Sequence, residues 1–414
     1  VIRREVAIVG IGQTAYGKAL PGTAWDLAIE AILAALADAG IDPKDVDGMC
    51  RFAPPFEPVS EPMLVRALGI PELRFFAESP LGGEALGAVI AHAAAAVAAG
   101  LARVVVVYRA LSQSKGGRFG RADVGGPSGA RGAIPGPPAV STRGATPGPP
   151  AGDVIVPEED NRSFAWPYGL MSPGQLFALW ARRYAIVNGL TDEDLTRALG
   201  SIAITQRKYA NANPNALMRA RAMTWEDYRA ARMISEPLRL FDLCLENDGA
   251  CAYVITSAGV ARSLRPDPVY VLSATQTISP YREPMGIYVT GELLELFPPG
   301  CAERLFAGAG VTRSDIDVAQ FYDATSYMPL RSLESYGFVP QGQAWRYVAE
   351  TGTGPDSPLP VNTHGGHLSE AYLHGMNGVL EAVRQLRGTA VNQVRGASVA
   401  LVGAPAGSAM ILAR

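Results

Sequence analysis

Cysteine is scarce in this chain: there are four in 414 residues (Cys50, Cys244, Cys251 and Cys301), none at a spacing that pairs metal ligands. A zinc module and a disulfide scaffold are thereby excluded, and buried, reduced thiols are expected. An excess of one charge is lacking too, because 36 Lys and Arg face 39 Asp and Glu for a net charge of −3. With no long basic run and no aromatic residues interleaved with basic clusters, nucleic acid is not an expected partner. The longest apolar run, residues 85–99, is alanine-rich, interrupted by His92 and too short to span a membrane, so it reads as a buried helix with His92 structural. No signal-peptide pattern precedes the first apolar strand, which points to a cytoplasmic protein. The turn Gly10-Ile11-Gly12 lacks the third glycine and the later acid of a dinucleotide fingerprint, so no nicotinamide site is expected.

What is present is the composition of a globular protein, 48% hydrophobic, at a length that allows two or three domains or two related halves closing on one core. Apolar patterning predicts a strand over 4–10, a helix over 24–39 stopping at Gly40, a short strand after Asp47, an element over 61–68 and a strand over 74–77. Ser79 and Pro80 read as the N-cap and first position of a long helix ending near Gly100. Four consecutive valines within 103–108 suit a strand buried on both faces. From 112 to 161 glycine, proline, serine and arginine replace any regular pattern, and the segment reads as a flexible insertion or a functional lid. Helices are expected over 171–188 and 191–209, the second opened by Thr191 and three acids, and a strand over 248–257.

From Pro268 the pattern begins again. Ala39-Gly40-Ile41 followed by Asp45-Val46-Asp47 is mirrored by Ala309-Gly310-Val311 followed by Asp315-Ile316-Asp317, each after a strand and a helix. A duplicated α/β unit accounts for this spacing, with halves over 1–267 and 268–414, the first holding the insertion 112–161 and a helical loop region 162–240.

The stretch Val361 to Gly378 concentrates three of the four histidines (His364, His367 and His374) and four glycines in eighteen residues, ahead of a helical pattern. Glycine at this density permits positive φ and close approach of backbone to a ligand, and a turn feeding a helix can aim N–H groups at an anion. A tight loop with ordinary polar histidines is the other reading.

Two such units, a helical insertion in the first and a glycine-rich motif near the end resemble the thiolase superfamily. The likeness is strongest to its sterol-carrier-type branch and rests on Met171-Ser172-Pro173-Gly174, Tyr209-Ala210-Asn211-Ala212-Asn213-Pro214, Met233 to Leu240, Asn247-Asp248-Gly249-Ala250 and Gly403 to Met410. The resemblance implies a duplicated α-β-α-β-α layered fold with two mixed five-stranded sheets, a homodimer, and an active site where the halves meet.

Three departures from the family pattern stand out. The nucleophilic cysteine expected at the start of the long first-half helix is absent from Glu78 to Glu84, where only Ser79 carries a hydroxyl. The family's Gly-His-Pro falls on Ala371-Tyr372-Leu373, and the histidine-acid pair after a second-half strand falls on Tyr322-Asp323. The second catalytic cysteine position, around 402–404, is also unfilled.

Two histidines exchanged for tyrosine resemble the thiolase-like aldolases that shorten steroid side chains. That resemblance implies retro-aldol cleavage of a β-hydroxyacyl-CoA, of the 17-hydroxy-20-carboxyl type, to a ring ketone and propanoyl-CoA, with Tyr322 and Tyr372 as acid and base in an order the sequence leaves open. His364, His367 and His374 are candidates to stabilise a phenolate, Gly365 and Gly366 to donate to an oxyanion, and Asp323 to orient a donor or cap the next helix. His364 reads equally as polar lining, and Cys244 and Cys251 as core. No metal or other cofactor is implied, and a separate small OB-fold partner, forming a heterotetramer, is. The rival readings are a non-catalytic acyl-CoA-binding or lipid-binding subunit, and a Claisen thiolase with a displaced cysteine.

Overall fold

The computed structural model describes residues 3–52, 59–79, 86–115, 168–170, 172–277, 300–405 and 407–414. The greater part of the insertion 112–161 lies outside them. The strands are β1 (Val6–Gln13), β2 (Gly48–Phe52), β3 (Phe75–Ser79), β4 (Val104–Ser112), β5 (Met233–Ser235), β6 (Leu238–Arg239), β7 (Asp248–Ser257), β8 (Val269–Thr275), β9 (Val318–Phe321), β10 (Val399–Gly403) and β11 (Ala409–Ala413). Apart from the β5-β6 hairpin, all of them join one sheet in the order β3-β2-β4-β7-β1-β8-β11-β10-β9.

Two five-stranded sheets were the expectation, and the structure differs in two ways. Strands β1 and β8 pair antiparallel at Ala7↔Tyr270 and Ile8↔Val269, which joins the two sets into one ladder. The outermost strand of the second set is reduced to a single parallel bridge, Ala319↔Val361, at the entry to the glycine-rich stretch. The layering itself is as expected, because the helices Leu86–Ala98 and Met376–Arg387 each pack on strands of both sets and form the middle layer.

The period of two in β1 explains why both its faces are apolar. Val6 and Ile8 enter the core shared by the two sets, whereas Ala7 and Val9 enter a separate core beneath the helix Ala24–Ala39. In β4, Val105 and Val107 face the first core and Val104 and Val106 the second.

The mirrored motif occupies equivalent places. Gly40 and Gly310 end their helices in the left-handed region at φ 67° and 68°. Asp47 Oδ1 accepts the N–H groups of Arg103 and Val104 at 2.8 and 2.9 Å, and Asp317 Oδ2 accepts those of Ser398 and Val399 at the same two distances. Each aspartate thus pins the start of the neighbouring parallel strand. Thr191 caps the helix Asp192–Ala212 through a capping box with Asp194. Ser79 is the last residue of β3, in register with Phe52, and the helix expected to follow it is described from Leu86.

Candidate active site

Strand β9 delivers Tyr322 to the interior, fixed by its own N–H donating to Gly403 O at 2.9 Å. Tyr372 comes from the glycine-rich stretch and is fixed by Asn247, whose Oδ1 accepts the Tyr372 N–H at 2.6 Å. The two hydroxyl oxygens lie 3.0 Å apart, and both residues are only 6% exposed. The two positions read from sequence are therefore one hydrogen-bonded pair.

His367 packs edge-on against both phenol rings, with centroids 5.4 Å from each. Its Nδ1 contacts the Asp323 carboxylate, and its Nε2 lies 2.9 Å from Asn377 Oδ1 and accepts the Gly375 N–H at 3.0 Å. Asp323 also accepts the His367 N–H, at 2.9 Å to Oδ2. Asp323 thus contacts an imidazole and holds the N–H of the short turn Gly366–Ser369, whereas the helix that follows it in sequence takes no side-chain cap.

His374, held at a positive φ of 54°, sits against Tyr372 with centroids 4.7 Å apart. Its Nδ1 accepts from Arg109 Nε at 3.2 Å, with Arg109 Nη2 at 2.9 Å. Burial, and then the guanidinium, push the His374 pKa well below the usual imidazole range, so the ring stays neutral.

His364 belongs to a different neighbourhood. Its Nδ1 is 3.1 Å from Gln320 Oε1 and its Nε2 is 3.8 Å from Glu370 Oε2, beside a cavity of about 170 Å³ lined also by Asn213, Glu381 and Arg384. Burial lowers the His364 pKa as well. Burial thus disfavours a positive charge on His364 and on His374. Arg109, 2% exposed on β4, is a cation that acts on Tyr372.

The Gly365 donor of the glycine-rich stretch is spent on the stretch's own folding. Gly365 N–H donates to Asn362 O at 2.9 Å, so it is not an oxyanion donor as expected. A side chain at Gly365 would meet Ala210 Cβ at 2.7 Å, and one at Gly366 would strike Asp323 and Gln206. Close packing, on the helix Asp192–Ala212 and for Gly366 also on Asp323, requires glycine at both positions.

Burial dominates the ionisation of the pair. The Tyr322 pKa is pushed well above 10 by desolvation and then by Tyr372, and that of Tyr372 is raised by desolvation, with the Tyr322 hydrogen bond and Arg109 acting the other way. Cys244, half-buried, is hydrogen-bonded through its N–H to Ala324 O, and burial and Asp323 raise its thiol. It packs against the core, as expected, in the cluster that also holds both tyrosines. Glu370, fully buried between Asn213 Nδ2 at 2.9 Å and Asn377 Nδ2 at 2.7 Å, is pushed up to about 7 by desolvation.

Sequence reasoning missed Arg109, Asn247, Asn377 and Glu370. Asn247 stands in a stretch that carried the family likeness, which was the signal available for it. Arg109 follows a valine run that reads only as buried strand.

A layered two-part fold with its shared interior occupied by a tyrosine pair and no cysteine in catalytic position defines a thiolase-type protein with altered chemistry. A thiolase C-terminal domain-like family model matches residues 299–412. The 17-hydroxy-3-oxo-4-pregnene-20-carboxyl-CoA lyase of Mycobacterium tuberculosis is 42% identical over 97% of both chains. A steroid side-chain-cleaving aldolase of Thermomonospora curvata is 38% identical over 95% of this chain and 93% of its own. The solved Ltp2-ChsH2(DUF35) aldolase superimposes with a TM-score of 0.85 at 36% identity, covering 100% of this chain and 98% of that one. The chain belongs to the thiolase superfamily and, within it, to the steroid side-chain-cleaving aldolases.

Proposed function

We propose that this chain catalyses retro-aldol cleavage of a steroid β-hydroxyacyl-CoA of the 17-hydroxy-20-carboxyl type, giving a ring ketone and propanoyl-CoA. The observation that carries the reading is the buried contact of 3.0 Å between the Tyr322 and Tyr372 hydroxyls. One tyrosine takes the proton of the substrate hydroxyl. The bond from that carbon to the α-carbon breaks, its electrons pass into the thioester as an enolate, and the other tyrosine returns a proton to the α-carbon. No acyl-enzyme forms, so no cysteine is needed.

Buried phenols are weak bases, and their use requires stabilisation of the phenolate. Arg109 and the His367–Asp323 contact supply polar support around the pair. The Claisen alternative is disfavoured because burial keeps the Cys244 thiol protonated, and a thiol is a poor nucleophile.

The remaining assignments belong to the same reading. The halves divide at 267/268, no metal or other cofactor takes part, and the protein is a cytoplasmic homodimer. A relative named for two components supports a separate small OB-fold partner that completes a heterotetramer. Among the described residues no helix is long and apolar enough to cross a membrane.

The test is incubation with the steroid thioester, with and without a co-expressed OB-fold partner, followed by detection of ketone and propanoyl-CoA. Both products are expected in equal amounts, and their absence in both arms would overturn the proposal.

A further inference from the structure

Arg109 stands within β4, opposite Cys251, with its guanidinium enclosed. Its carbon lies 5.9 Å from the Phe52 ring centroid on one side, and Nε and Nη2 lie 3.2 and 2.9 Å from His374 Nδ1 on the other. An arginine has no acceptor to offer and no proton to lose, so its N–H groups fix His374 as the tautomer protonated on Nε2. The neutral imidazole then separates a permanent cation from the Tyr372 ring, whose centroid is 4.7 Å from its own.

Among the described residues, the groups bearing on Tyr372 come from four elements. They are Arg109 from β4, His367 and His374 from its own loop, Tyr322 and Asp323 after β9, and Cys244 before β7. Of these, Arg109 is the fixed cation, and among the described residues it contacts the histidine stacked on Tyr372. The two halves of the pair are thus in unequal fields. The direction of the ionisation shifts agrees, since Arg109 favours the Tyr372 phenolate and the shared hydrogen bond favours it at the expense of Tyr322.

We propose that Arg109 is a positioning residue for the cleavage, acting through His374 to place positive charge behind Tyr372 and so to make Tyr372 the base and Tyr322 the proton donor. This rests on the aldolase reading above. In the balanced cycle the Tyr372 phenolate takes the substrate hydroxyl proton and the C–C bond breaks into ketone and thioester enolate. Tyr322 then gives its proton to the α-carbon, and the proton on Tyr372 crosses the 3.0 Å contact to restore Tyr322.

The test uses the full chain, with its partner where cleavage requires one, as Arg109→Gln and Arg109→Lys. Phenolate absorbance is titrated without substrate and compared with a Tyr372→Phe reference, isolating the Tyr372 ionisation. Arg109→Gln is expected to move that ionisation up by about one pH unit, a roughly tenfold loss of phenolate near neutrality, and Arg109→Lys to leave it near its original place. Cleavage by Arg109→Gln is expected to fall about tenfold at neutral pH and to recover as pH rises, whereas a merely structural role would lower it equally at every pH.

An unshifted titration in folded Arg109→Gln overturns the proposal, as does a lysine variant that shifts as far as the glutamine one. Should Arg109→Gln not fold, His374→Phe, which removes the bridge and leaves the cation, must raise the Tyr372 ionisation, and an unchanged value there overturns it equally. If the wild type cleaves nothing, the aldolase reading fails while the substrate-free titration still decides the role of Arg109.

Discussion

The first and second halves of the sheet run on one plan up to the residue where chemistry begins, and then diverge. Asp47 and Asp317 pin β4 and β10 through the same pair of N–H contacts, and the registers Gly48↔Val105 and Val318↔Ala400 follow from them. Continuing each register one step past its last common pair sets Phe52 beside Arg109 in the first half and Tyr322 beside Ala404 in the second. The scaffold is therefore duplicated while its reactive ends are not. One half ends in a cation against an aromatic ring, the other in a phenol against a small residue, and the glycine-rich stretch places Tyr372 with Tyr322 and His374 with Arg109.

The largest effect that would sharpen this contrast is on catalysis. Tyr322→Phe and Tyr372→Phe should each lower turnover by about 10²–10⁴-fold, and the double variant should be little worse than either, because the hydroxyls act as a unit. Adding Phe52→Tyr to Tyr322→Phe should restore nothing. Recovery of turnover in steady-state kinetics would break the claim that the equivalent positions are not interchangeable.

Next come the two pinning aspartates. Asp47→Ala and Asp317→Ala each leave two N–H groups at a strand start without their carboxylate, and each should cost about 3 kcal/mol in urea unfolding. Costs that differ several-fold would contradict equivalent roles.

The second-half polar cluster carries a pH signature. Glu370 titrates near 7 when folded and near the ordinary glutamate value when unfolded, so its contribution is fully present below the unfolded pKa and is lost as pH rises through about 7. Between those limits the wild type should lose about 3 kcal/mol that Glu370→Gln does not lose, measured as the difference in their unfolding free energies against pH. Parallel curves would show that Glu370 is charged in both states. The smallest expected effect is Thr191→Ala, which removes one helix cap and should cost about 1 kcal/mol, read from thermal unfolding.

Much of this was legible in the sequence, for identifiable reasons. The helix Ala24–Ala39 and the strand Asp248–Ser257 agree with their expected limits, because local periodicity and the left-handed Gly40 mark them. Tyr322 and Tyr372 could be found because each replaces a particular residue in a recognisable local pattern. Arg109 could not, since what gives it meaning is a contact with His374 across 265 residues of chain. Gly365 misled for the opposite reason. Its local pattern fits ligand approach and tight packing equally well, and only the position of Asn362 O and Ala210 decides between them. The join between β1 and β8 was likewise invisible, because pairing of two strands this far apart leaves no local mark.

The central claim is that the tyrosine pair breaks a carbon–carbon bond without covalent catalysis. It is tested most directly by quenching the enzyme during turnover of the steroid thioester, quantifying ketone and propanoyl-CoA, and measuring the intact mass of the protein. The account predicts the two products in equal amounts on a chain of unchanged mass, and neither product from Tyr322→Phe or Tyr372→Phe beyond the residual rate given above. An acyl adduct on Cys244 or any other cysteine, or full turnover in both phenylalanine variants, would contradict it.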